Sequence, residues 1–162
     1  MDKEVNYEIL EYNVSLLEIW DNFIENSLNG NIFHTQKFLD YHSSDNFTFR
    51  HLLIYQNGKK LVGVVPAGIM DNKFVSPVGS SFGGIIVSKK NNLLESINIL
   101  DALVSFCVKE NYDSIKLTLS PQIYNDVYSK NIEFALMCKG FDNSFSLYHS
   151  VIDLSKKYSL IN

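Results

Sequence analysis

Residues 85–119 read IIVSKKNNLLESINILDALVSFCVKENYDSIKLTL. Ile85–Ser88 is a short apolar run entered through Gly83-Gly84. Over 92–109, Leu93, Ile97, Leu100, Val104, Cys107 and Val108 hold helical spacing, with Asn92 as a cap and Glu95 three residues on. Asp113-Ser114 then opens Ile115–Leu119, where Ile115, Leu117 and Leu119 alternate with Lys116 and Thr118. This order predicts strand, helix, strand, joined as a right-handed parallel crossover.

Upstream, Arg50–Tyr55 and Leu61–Met70 flank Gln56-Asn57-Gly58-Lys59, and Asn-Gly between two apolar runs signals a hairpin. Pro66 inside the second run marks a bulge or an edge. Asp71-Asn72 predicts another turn, followed by a short piece at Lys73–Ser76. Before the strands come two helices. Residues 15–28 place Leu16, Ile19, Trp20, Phe23 and Ile24 on one stripe, with Ser15 and Glu18 as a capping box and Asn29-Gly30 as the stop. The second begins at a Thr35 cap and runs into Ser43-Ser44-Asp45-Asn46. Downstream, Ser120-Pro121 predicts a helix start through Ile123, Tyr124, Val127 and Tyr128. A helix over 132–139 stops at Gly140, and Ser144–Leu154 is extended. The fold class is therefore α/β: a mixed, mostly antiparallel sheet flanked by helices, with one βαβ crossover, in a single domain over 1–162.

The chain has 162 residues, 46% apolar and 20% charged, enough for one domain with a real core. A formal charge of −4 argues against nucleic acid as a partner. Two cysteines, Cys107 and Cys138, are too few for a disulfide framework; both fall in apolar runs and read as buried free thiols. With no leader-like start after Asp2-Lys3-Glu4 and no run long enough to span a bilayer, a cytoplasmic setting is expected. His34, His42, His51 and His149 show no ligand spacing, so no metal is expected. No nucleophile elbow, P-loop or dinucleotide fingerprint is present.

The chemistry-bearing stretch is Gly30-Asn31-Ile32-Phe33-His34-Thr35, where a helix end, an apolar pair and a new helix start meet. His34 reads either as an acceptor-binding group or general base, or as a packed residue beside the Thr35 cap. Ser81-Phe82-Gly83-Gly84 admits a ligand or another backbone at close range, or makes a tight turn. Lys89 and Lys90 meet a phosphate as point charges, or stand in a solvated turn. Tyr41 and His42 share the second helix, whose packing claims them first. Tyr124, Tyr128 and Tyr148 carry hydroxyls able to protonate a leaving thiolate, and their spacing selects none of them.

The ordered set Trp20-Asp21-Asn22-Phe23, Asn29 to Thr35, Phe38-Leu39-Asp40-Tyr41-His42, Leu61-Val62-Gly63-Val64-Val65-Pro66-Ala67 and Ser80 to Ile85 resembles the GNAT-fold acyltransferases. It is most similar to their Fem-like, aminoacyltransferase-related branch, in which two such domains stand in tandem. The resemblance implies the first domain of a pair. That domain would hold the acceptor half of an enzyme moving an acyl or aminoacyl group to an amine on a nucleotide sugar or cell-wall precursor. The partners would be that small-molecule substrate and a second domain or another subunit. It implies His34, Thr35, Ser81, Phe82, Gly83 and Gly84 at the acceptor, and acetyl-CoA or another acyl-CoA as donor for the whole protein. In the wider fold a glycine-rich turn before the long helix meets the coenzyme A pyrophosphate; here that turn is Ser88-Lys89-Lys90-Asn91-Asn92, without glycine. A non-catalytic binding module is the alternative. A self-associating domain with an apolar face along Phe145–Leu154 is a third.

Overall fold

The computed structural model describes residues 5–41, 47–125 and 129–146. Its first element was missed by the sequence reading. β1 (Tyr7–Glu11) is an edge strand paired antiparallel with β3 (Leu52–Gln56). Tyr7 and Ile9 face the core while Glu8 and Leu10 face out, but one apolar residue on the wet side blurs the alternation.

The first helix is shorter than the 15–28 expected. Asn13, not Ser15, caps it: its Oδ1 accepts from the Ser15 amide at 3.0 Å and opens a 3₁₀ turn, Val14–Leu16, before α1 (Leu17–Glu25). α1 buries Trp20 and Ile24, and Ile19 stays 44% exposed, off the stripe assigned to it. The stop is not a left-handed glycine. The Ser27 hydroxyl donates to the Ile24 carbonyl at 2.6 Å, and the Gly30 amide donates back to that hydroxyl at 2.9 Å. A Cβ on Gly30 would lie 2.2 Å from Ser27 Oγ, so close approach is what requires glycine there. A second 3₁₀ turn, Ile32–His34, leads to α2 (Gln36–Leu39), with Thr35 as its cap as expected. α2 ends at Leu39, earlier than expected, and 42–46 lie outside the described residues.

The strand expected at 61–70 breaks in two, and the one expected at 50–55 forms from Leu52 with a separate short strand ahead of it. β2 (Thr48–Phe49) and β3 lie on one side of the hairpin, β4 (Lys60–Val65) and β5 (Gly68–Met70) on the other. Pro66 cannot donate to a ladder. The break is bridged by His51, whose Nδ1 accepts from the Ala67 amide at 3.0 Å. Asn57 and Gly58 turn the hairpin with φ of 53° and 62°, and Asp71-Asn72 turn into β6 (Lys73–Ser76) the same way.

The expected crossover returns in parallel, but its ladder is with a different strand. β7 (Ile86–Val87) pairs antiparallel with β4, whereas β8 (Ser114–Leu117), beyond α3 (Leu93–Lys109), takes its ladder from β6 in parallel. The strand into β7 meets β8's extension only at the parallel bridge Gly83↔Leu119 among the described residues. The sheets run β1-β3-β4-β7 and β2-β5-β6-β8, and they part beyond that bridge.

One sheet face carries Leu52, Ile54, Val62 and Val87 against Ile99, Leu100 and Leu103 of α3, with Ile132 and Ala135 of α4 (Asn131–Cys138) beside them. The other carries Leu53, Val64 and Ile86 against Trp20, Ile24 and Leu39. The alternation of strand side chains thus builds two cores from one sheet. α4 stops where Gly140 takes φ 77°, as expected. The helix expected at 121–128 is a 3₁₀ turn, Gln122–Tyr124, with Pro121 at its cap position; 126–128 lie outside the described residues. Cys107 is buried but Cys138 is exposed, against expectation. Residues 144–146 have no regular structure, and the rest of the extended segment lies outside the described residues. No described helix is long and apolar enough to cross a membrane.

Candidate functional site

The junction after α1 is held by hydrogen bonds that leave His34 no freedom. Asn31 Oδ1 accepts from the Phe33 amide at 3.0 Å, and the Asn31 amide donates to His34 Nδ1 at 3.0 Å. The Trp20 indole donates to the His34 carbonyl at 2.8 Å. The imidazole is wholly buried. Burial pushes its pKa down to about 4, against a smaller upward pull from a hydrogen bond to the Gly83 backbone. Because Nδ1 accepts, this network assigns the proton of the neutral ring to Nε2. Nε2 lies 3.4 Å from Ser120 Oγ, which also accepts from Asn31 Nδ2 at 3.1 Å. A protonated Nε2 cannot take a proton from that hydroxyl, so the pair is not a nucleophile–base dyad.

His34 therefore ties the junction to the diglycine. The space at both glycines is taken by the chain itself. A Cβ on Gly83 would lie 2.6 Å from Pro77 N and 2.7 Å from Ser76 Oγ. Gly84 has φ 85°, and its Cβ would lie 2.5 Å from Leu119 Cδ2. Ser76 Oγ, wholly buried, donates to the Pro66 carbonyl at 2.5 Å and accepts from the Gly84 amide at 2.9 Å.

On the outer side of this scaffold lies an open concavity of about 800 Å³, lined by Ile32, Thr35, Phe38, Tyr41, Ser80 and Ser81, with Lys37 and Gly79 completing it. Thr35 and Ser81 are thus brought together. Phe82 is not among the lining residues; it is edge-on to Phe33 at 5.4 Å, and Phe33 in turn meets Phe38 at 5.0 Å. Tyr41 is 84% exposed, so α2 does not bury it. Lys37 carries no signal in the sequence, and Ile32 and Phe38 stand there only as apolar residues of the junction and the second helix; that Ile32 is 66% exposed is decided by the fold. Tyr124 packs on Phe82 at 6.0 Å, and Tyr128 and Tyr148 lie outside the described residues.

A second locus lies where β7 and β8 part. The β7 edge turned away from β4 is covered by the loop after α1. The Leu28 amide donates to the Val87 carbonyl at 2.8 Å. The Val87 amide donates to Asn29 Oδ1, and Asn29 Nδ2 to the Ile85 carbonyl, both at 2.9 Å. A pocket of about 20 Å³ beside this cover is lined by Leu28, Asn29, Val87, Leu119 and Ser120 together with residues from 122–125 and 129–133 of the following segment. In the following turn Lys89 and Lys90 are exposed. At the start of α3, Asn92 Oδ1 accepts from the Glu95 amide at 2.9 Å, and Asn91 Oδ1 accepts from Ser96 Oγ at 2.6 Å. Glu95 is buried there, 3.1 Å from Lys60 Nζ. No group of three or more His, Cys, Asp or Glu able to hold a metal occurs among the described residues.

Among solved structures, the chain superposes on an aminoglycoside N-acetyltransferase, AAC(6')-Iy in complex with CoA. The TM-score is 0.54, with 11% identity over 94% of this chain and 98% of that one. The fold is that of the GNAT acetyltransferases. TTHA1254 of Thermus thermophilus matches at TM-score 0.50 with 16% identity, over 93% of this chain and 99% of that one. A GNAT-family acetyltransferase of Staphylococcus aureus matches more loosely, at 0.49 and 19% identity, over 83% and 84% of the two chains. No family model and no curated protein matches the sequence. At these identities the likeness gives the GNAT fold and assigns no residue a role.

Proposed function

We propose that this GNAT-fold chain is an N-acyltransferase-related domain that supplies acceptor contacts. The reaction class joins an amine nitrogen to an acyl carbon, breaks the donor's thioester or ester bond, and releases the amine proton to solvent or a base. The observation that carries the reading is the convergence of Thr35 and Ser81 on one concavity, organised by the His34–Gly83 contact. Its Thr35 and Ser80 hydroxyls already serve the backbone: Thr35 Oγ1 donates to the Ile32 carbonyl at 2.9 Å and Ser80 Oγ to the Phe82 carbonyl at 3.3 Å. Ile32, Phe38 and Tyr41 offer apolar surface and Lys37 a cation, which suits an acceptor with a hydrophobic or ring face and an anionic group such as a nucleotide sugar or cell-envelope precursor. His34 positions the wall and is no base, since both ring nitrogens are engaged.

The acyl-coenzyme A implied by the fold does not fit the second locus. The β7 edge is hydrogen-bonded by Leu28 and Asn29, the turn before α3 has no glycine, and the first turn of α3 carries a buried carboxylate, Glu95, which is unfavourable to an anion. We therefore assign the donor to a second domain or another subunit. The same filling supports the alternative reading, a non-catalytic binding module.

Thermal melts of the chain with amine-bearing nucleotide sugars test the acceptor role. Saturable stabilisation is expected, reduced at least about fivefold in affinity by Tyr41→Ala or Ser81→Arg at unchanged Tm without ligand. Absence of any acceptor response would overturn it. If acceptors bind yet no longer form of the protein transfers an acyl group, the binding-module reading takes its place.

A further inference from the structure

An unpaired strand edge is a template: its amides and carbonyls pair with any extended chain carrying donors and acceptors in alternation. β7 would present such an edge where it parts from β8. Val87 N–H, Val87 C=O and Ile85 C=O all point away from β4, and all three are taken by two consecutive residues, Leu28 and Asn29. The Asn29 carboxamide stands in for a peptide unit, its Oδ1 accepting as a carbonyl would and its Nδ2 donating as an amide would. Ser27 and Ser88 continue the contact as an antiparallel bridge. The pocket beside this cover, about 20 Å³, is room for about one water.

We propose that Leu28-Asn29 is a built-in substitute strand that closes the cleft between β7 and β8, so that this domain excludes a pantetheine-type chain from its own sheet. This rests on the acyltransferase-related reading and sharpens it, by naming the residues that deny the domain a donor of its own. The cover is part of the α1 anchorage. Gly30 docks on Ser27, and Asn31 reaches Ser120 on the far side of the cleft at 3.1 Å, so the loop is stitched to both walls. Asn29 thereby does for the edge what a ligand would otherwise do.

Two-dimensional NMR of the nitrogen-15-labelled chain tests this with coenzyme A and with pantetheine as probes. At millimolar concentration, neither is expected to give a saturable shift at the Val87 amide or the Asn29 side-chain amide; such a shift overturns the proposal. Asn29→Ala is expected to speed hydrogen exchange at Val87 by about tenfold or more while Ile54 in the sheet centre is unchanged. Asn29→Asp, which keeps the acceptor, is expected to retain the Val87 protection. Unchanged Val87 exchange in Asn29→Ala overturns the assignment of the cover to that side chain. These readouts are independent of the acceptor site. Acceptors that fail to move Thr35 and Ser81 sink the functional reading and leave the closed edge standing. Coenzyme A that moves Val87 does the reverse.

Discussion

The indole N–H of Trp20 donates to the backbone carbonyl of His34 across 2.8 Å, and both residues are wholly buried. The bond joins the first helix to the junction whose other end lines the concavity. Trp20→Phe keeps most of the apolar contact but leaves that carbonyl without its donor and opens a void. A loss of about 2–4 kcal/mol in unfolding free energy is expected, measured by urea titration. A loss below about 0.5 kcal/mol would show that the bond is not holding the junction.

Acid should destabilise the fold through two histidines. Burial lowers His34 and His51 to about 4 each, from an ordinary value of 6.5. Between those values the unfolded chain binds more protons, so the stabilisation is complete above about 6.5 and is lost as the pH falls toward 4. By pH 5 each ring costs about 2 kcal/mol relative to pH 7. Urea midpoints at the two pH values measure this, and His51→Gln should flatten the dependence by roughly half. A pH-independent midpoint would contradict the buried neutral state.

Glycines in the two turns should differ in what they tolerate. At Gly83 an added methyl meets backbone and a buried hydroxyl at 2.6 and 2.7 Å, so Gly83→Ala must displace the Ser76-Pro77 segment. At Gly58 the nearest atom is 3.4 Å away and the cost is the left-handed φ of 62° alone. Gly58→Ala is expected to cost about 1 kcal/mol and Gly83→Ala more than about 2, compared by Tm. The reverse order would mean the diglycine is less tightly packed than described.

The two thiols should react separately. Cys138 is exposed, while Cys107 is buried with its pKa pushed up to about 12 by burial. A thiol-exchange reagent should label one cysteine rapidly in the native protein and the second only in denaturant. Rapid labelling of both would place Cys107 at an open surface.

Much of this fold is written in short-range spacing. The Asn57-Gly58 hairpin, the Asn92-capped α3 and the Gly140 stop all depend on residues within a few positions of one another, and all stand where the sequence put them. The Thr35 cap is equally local. β1 escaped because an edge strand need satisfy only one face, and its exposed Leu10 spoils the period. The candidate site was half visible. Thr35 and Ser81 line the concavity, but nothing local distinguishes a histidine that faces a ligand from one that is walled in.

The amino-acid order by itself determined the elements, the turns and the α/β class, because capping, turn conformation and amphipathic period are contests among near neighbours. Tertiary structure alone decided that β8 joins β6 rather than β7, that His34 is buried with its proton on Nε2, and that Asn29 covers an edge 56 and 58 residues away. Those outcomes depend on which distant backbone groups lack partners once the sheets part, and a buried amide or carbonyl takes whichever donor or acceptor the packing brings within reach.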